Sequence, residues 1–88
     1  MVVIDKPDDG NVGLIARHKD RLFYGHVTVV FNICGKATLL MKDDVTSYEG
    51  GFHMRSNHVY VIAGHSRYHA THEVKIPAGQ RRISCVCV

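Results

Sequence analysis

Apolar and polar residues alternate along the chain in short runs broken by turn residues, with no helix-period apolar stripe of useful length. DKPDDGNVG (5–13) reads as loop from its Pro, Gly, Asn and Asp content. LIARHKD (14–20) predicts a short strand ending in polar residues. HVTVVFNI (26–33) is the clearest strand, β-branched and apolar on both faces, which places it at the centre of a sheet. Gly35 and Lys36 make a turn, after which ATLLM (37–41) is expected to pair back as a hairpin. KDDVTSYEGG (42–51) reads as a polar loop. FHMRS (52–56), VYVIAG (59–64) and YHATHEV (68–74) follow as strands, then PAGQ (77–80) as a turn and RISCVCV (82–88) as a final strand. About seven short strands with regular turns predict an all-β sandwich or jelly roll with few or no helices.

Eighty-eight residues make a single domain. A chain this short buries only about 60–65% of its unfolded surface, so a bound metal, a partner or flanking chain would add needed stability. No apolar run nears the roughly 20 residues of a membrane span, and MVVIDKPDDG lacks the features of a signal peptide. Cys34, Cys85 and Cys87 are an odd, ill-spaced set for a disulfide framework, which points to a reducing compartment. The expectation is a soluble, cytoplasmic protein, in the host cytoplasm if the chain is viral. The net charge of +3 permits a nucleic-acid partner without requiring one.

Candidate chemistry changes this picture. The chain carries seven histidines, more than any one metal site needs. In a strand, residues two apart face the same way, so His18 and Asp20 in RHKDR (17–21) stand side by side at a strand end. One imidazole and one carboxylate supply two adjacent corners of an octahedron; a distant histidine completes the two-His-one-carboxylate triad that suits non-heme Fe(II) oxygenases. His72 is the candidate for that third ligand. Arg82 and Ser84, beginning ten positions beyond His72, share one strand face. Arginine binds a carboxylate through paired hydrogen bonds and a hydroxyl adds another, so this pair is suited to hold the tail of a chelating cosubstrate such as 2-oxoglutarate.

His-x-Asp, a distal His and then Arg-x-Ser, in that order and spacing, resemble the Fe(II)/2-oxoglutarate-dependent oxygenases. Within them the chain is most similar to the AlkB-like domains carried in replicase polyproteins of plant RNA viruses. RHKD, VTVVFNICGKATLL, AGHSRYHATHEV and RRISCVCV carry the resemblance, which runs over residues 14–88. It implies a minimal double-stranded β-helix, cupin-like, with Fe(II) on His18, Asp20 and His72, and with 2-oxoglutarate on Arg82 and Ser84. Dioxygen would be the second cosubstrate and single-stranded RNA or DNA with methylated bases the substrate, the reaction being oxidative demethylation. The chain departs from the family where Val86 and Val88 replace a Thr and a second, cosubstrate-contacting Arg. Leu22 stands where an acidic residue is usual, the Asn and Tyr of the preceding strand find no match in VVIDKPDDG, and the nucleic-acid lid is missing. Two alternatives stay open: a 2-oxoglutarate-dependent hydroxylase of a protein side chain or small molecule, and a catalytically inactive jelly-roll binding module.

Other residues have plainer readings beside sharper ones. His65, His69 and His72 with Cys85 and Cys87 suggest zinc, but the cysteines alternate with Arg82 and Ser84 and are expected in the core. Arg17, Lys19 and Arg21 face away from the ligand pair, where they either follow a phosphate backbone or form a solvated basic edge. Arg81 reads as an edge-strand charge. Tyr68 and Phe23 are either base-stacking or core aromatics.

Overall fold

Runs of Val, Ile, Thr and Phe give eight strands in a computed structural model that describes residues 1–20 and 25–87. They are β1 (Val2–Lys6), β2 (Gly13–His18), β3 (Val27–Cys34), β4 (Ala37–Asp43), β5 (Glu49–Met54), β6 (His58–Ala63), β7 (Ala70–Ile76) and β8 (Arg82–Cys87). A single turn of helix, α1 (His65–Tyr68), lies between β6 and β7. The strands form two four-stranded antiparallel sheets, ordered β1-β8-β3-β6 and β2-β7-β4-β5. Among the described residues no helix is long and apolar enough to cross a membrane.

The all-β expectation therefore holds, and β3 is central, between β8 and β6. The expected hairpin of β3 with β4 does not form: β4 pairs with β5 and β7 in the opposite sheet. Gly35 is the corner at which the chain changes sheets. Its φ of +85° suits glycine, and a Cβ there would lie 2.5 Å from the Arg81 carbonyl oxygen and 2.8 Å from the Arg82 Cα. The corner thus packs directly on the start of β8, which a free two-strand turn would not do.

Three further differences share one cause, pairing that overrides local composition. Val2, Val3 and Ile4, unassigned from the sequence, and Asp5 and Lys6, read as loop, become edge strand β1 because β8 offers them a partner. Glu49, Gly50 and Gly51, read as loop, belong to β5 and pair with Lys42, Met41 and Leu40. Tyr68 and His69 precede β7 rather than opening it, because α1 occupies that turn.

The inner faces meet over a core of Ala37, Leu39, Met54, Ile62, Val74 and Ile76. The outer face of the β1-β8-β3-β6 sheet is also apolar, leaving Val3, Val27, Ile33, Val59 and Val61 exposed. Cys85 is buried as expected, whereas Cys87, expected in the core, is exposed.

The Gly35 corner makes a stability prediction. Gly35→Ala adds a backbone clash to the cost of a non-glycine residue at positive φ, so it is expected to lower unfolding free energy by about 2–4 kcal/mol. Gly79→Ala, at φ +83° but with open space around its Cβ position, loses only about 1 kcal/mol. Urea unfolding of the two variants beside wild type measures the difference; equal losses would remove the packing argument.

Candidate metal centre

His18 ends β2 and stands directly across from His72 on β7. The register that pairs Gly13 with Ile76 and Ile15 with Val74 would, if continued, set Arg17 opposite His72. A β-bulge between Ile15 and His18 shifts it by one residue, a common device for re-aiming a side chain. His18 then faces inward, and Arg17 turns out to donate hydrogen bonds to the Thr71 hydroxyl at 3.1 Å and to Glu73 Oε1 at 2.9 Å. The two imidazole rings lie 4.4 Å apart, centroid to centroid.

Asp20 follows two residues later, after the strand has ended. The buried guanidinium of Arg67, from α1, donates to the Asp20 backbone carbonyl at 2.7 Å and ties the loop to the helix. Asp20 Oδ1 is 3.4 Å from His18 Nε2 and 3.8 Å from His72 Nε2. One ligand atom from each of the three residues falls within 4.8 Å of the others.

The protonation chemistry suits a cation. His18 Nδ1 lies 2.6 Å from the Ala16 carbonyl, so Nδ1–H donates there and Nε2 faces Asp20. Burial holds the His72 pKa below its ordinary value, against the opposing pull of the Asp20 carboxylate, which keeps that ring neutral and able to ligate. Asp20 Oδ2 is buried with no hydrogen-bond partner among the described residues. Two imidazoles and a carboxylate on one side of a cavity are a donor set that fits a divalent metal.

Arg82 and Ser84 lie on the inner face of β8, 2% and 1% exposed. Arg82 Nε donates to Asn32 Oδ1 at 2.9 Å, and Nη2 sits 3.9 Å from the Met54 sulfur. Asn32, itself fully buried, is anchored by donating from Nδ2 to the carbonyls of Gly35 and Arg55. Among the described residues no carboxylate lies within ion-pair distance of this guanidinium. Burial lowers its pKa, but arginine stays charged. One cavity of about 180 Å³ between the sheets is lined by all five predicted site residues, His18, Asp20, His72, Arg82 and Ser84. Its walls are otherwise mostly apolar, including Ile15, Val30, Leu39, Ile62 and Val74.

The remaining candidates go elsewhere. His65 pairs with Asp43, whose carboxyl it holds well below the usual range, and His69 lies against His65 with the rings tilted; among the described residues neither joins His72 in a metal-binding group. Lys19 pairs with Asp44, and Arg81 makes two hydrogen bonds to Asp5. With Arg17 held by Glu73, the two described members of the suggested phosphate-tracking row have carboxylate partners. Tyr68 contacts His26 and lies under the Arg67 guanidinium. Arg21, Leu22, Phe23 and Val88 lie outside the described residues.

Sequence reasoning missed Asn32, Thr28 and Arg67. The first two had a signal: in VTVVFNIC they are polar residues on one face of an otherwise apolar strand. Arg67 had none, since its role follows from where a four-residue helix lands. No family model, curated protein or solved structure matches the chain.

Two expectations test the centre. The protein should bind about one equivalent of Co(II), read by its visible absorption, and His18→Ala, Asp20→Ala and His72→Ala should each weaken binding more than about 100-fold, the loss of a direct ligand exceeding that of an outer-shell partner. In the metal-free protein, the unfolded chain protonates position 72 first, because the folded-state pKa lies below the ordinary 6.5. Stability is therefore whole above about pH 6.5 and falls as pH drops through the folded pKa. Urea midpoints from pH 8 to pH 5 should show that slope in wild type and a shallower one in His72→Gln.

Proposed function

We propose that the chain is an Fe(II)- and 2-oxoglutarate-dependent dioxygenase of the AlkB-like kind, which demethylates alkylated nucleobases in RNA, or DNA. One observation carries the reading: a buried arginine with no anionic partner among the described residues opens on the same cavity as two histidines and a carboxylate within bonding reach of one cation. An uncompensated buried charge costs about 3–5 kcal/mol, so such a cation is a strong receptor for a small anion. A cavity of about 180 Å³ is below the usual range for larger ligands and suits a small organic acid.

His18, Asp20 and His72 would hold the metal, all from the β2-β7 side. Arg82 and Ser84 would bind the far carboxylate of 2-oxoglutarate, with Asn32 fixing the guanidinium. Iron with this acid supplies oxidative C–H chemistry: 2-oxoglutarate and dioxygen become succinate and carbon dioxide as one oxygen atom enters the substrate. An N-methyl group hydroxylated in this way leaves as formaldehyde and restores the base. The apolar walls limit water around the reacting atoms. A base must leave its stack to reach the site, which is easiest in a single strand. The eight strands in two four-stranded sheets support the double-stranded β-helix reading. The nucleobase assignment rests on the motif resemblance over residues 14–88.

Succinate formation with Fe(II), ascorbate and 2-oxoglutarate tests the chemistry, and methylated oligonucleotides beside peptide panels test the substrate. His72→Ala is expected to abolish turnover. Arg82→Met, which keeps bulk and removes charge, should raise the KM for 2-oxoglutarate more than about tenfold. Turnover intact in His72→Ala would end the assignment.

A further inference from the structure

Thr28 faces the same cavity from the other sheet. It is 1% exposed, on β3, and its hydroxyl oxygen has no hydrogen-bond partner among the described residues. Its neighbours on that wall among the described residues are Val30, Ile62 and Val86, none of which offers a polar side-chain atom. Register separates it from the arginine. Ser84 pairs with Asn32 and Val86 with Val30, so Thr28 lies beyond Val86, toward the end of β8 opposite Arg82. A threonine in a strand core is disfavoured against valine, which has the same shape and no polar atom to satisfy.

We infer that the Thr28 hydroxyl is a ligand-binding group, which hydrogen-bonds an oxygen of the small organic acid at the end of the cavity away from Arg82. Arg82 and Ser84 anchor one carboxylate; Thr28 offers a hydrogen bond at the other end, on the wall facing the β2-β7 sheet. The second unsatisfied buried oxygen of the cavity, Asp20 Oδ2, belongs to the metal group, so both orphaned oxygens are answered by one bound metal and one bound acid. Thr28, Arg82 and the metal group line one cavity of about 180 Å³, so an acid that reaches both Arg82 and the metal group shares that small space with Thr28.

The inference rests on the proposed acid site, and its test separates the two. Binding of 2-oxoglutarate to the Co(II)-loaded protein is measured by calorimetry for wild type, Thr28→Val and Thr28→Ser. The ligand-free proteins are unfolded in urea alongside. Thr28→Val is expected to bind 2-oxoglutarate about tenfold or more weakly, while its ligand-free form unfolds at the same or a higher urea concentration. Thr28→Ser, which keeps the hydroxyl, should retain most of the affinity. A purely structural threonine would move stability and binding down together, and that result overturns the inference. Equal acid affinity in wild type and Thr28→Val overturns it alone, leaving the Arg82 site standing. Absence of any 2-oxoglutarate binding by wild type overturns both.

Discussion

The buried charge of Arg82 is the constraint on which the rest of the structure turns. Its guanidinium sits between two sheets, held by a neutral amide and a thioether, and no described carboxylate reaches it. Asn32 spends both amide hydrogens and one oxygen lone pair on this arrangement, accepting from Arg82 and donating to Gly35 and Arg55. The corner at Gly35, the central strand β3 and the start of β8 are thereby locked together. A small domain has little surplus stability to maintain a lone cation in its core, so the arrangement makes most physical sense with an anion bound.

A second group of unsatisfied atoms occupies the same space. His18, Asp20 and His72 converge because a bulge, a loop and a buried helix residue each make one adjustment: the bulge turns His18 inward, the loop carries Asp20 round, and Arg67 fastens it. The resulting pocket holds negative and neutral ligand atoms at one position and positive charge at another, within apolar walls. Such a separation of charge is suited to a chelate, a metal bridged by a small acid to a distant arginine. The proposed oxygenase chemistry uses that separation, since the acid must meet the metal at one end and be fixed at the other.

Stability and site are therefore coupled. The interior that would normally be filled by side chains is partly cavity, and two of its polar atoms, Asp20 Oδ2 and the Thr28 hydroxyl, find no partner among the described residues. Metal and acid would fill the cavity and satisfy those groups together, and a ligand that binds only the folded state raises stability by mass action. The apolar outer face of the β1-β8-β3-β6 sheet stays exposed and so contributes little to the buried area of this 88-residue chain.

The sequence by itself determined the all-β class and most strand positions, and it singled out five polar residues that share the lining of one cavity. Each depended on local regularities: β-branched alternation, and residue types whose chemistry is specific at short spacing, as in His-x-Asp and Arg-x-Ser. Only the tertiary structure decided which strands pair. The turn at Gly35 reads locally as a hairpin, yet contact with Arg81 and Arg82, more than forty residues away, makes it a crossing between sheets. It also decided that His18 rather than Arg17 faces His72, because a bulge is a property of two strands and leaves no mark on one. Thr28, Asn32 and Arg67 gain their importance from neighbours distant in sequence, since an unpaired hydroxyl or a buried guanidinium exists only once the sheets have closed.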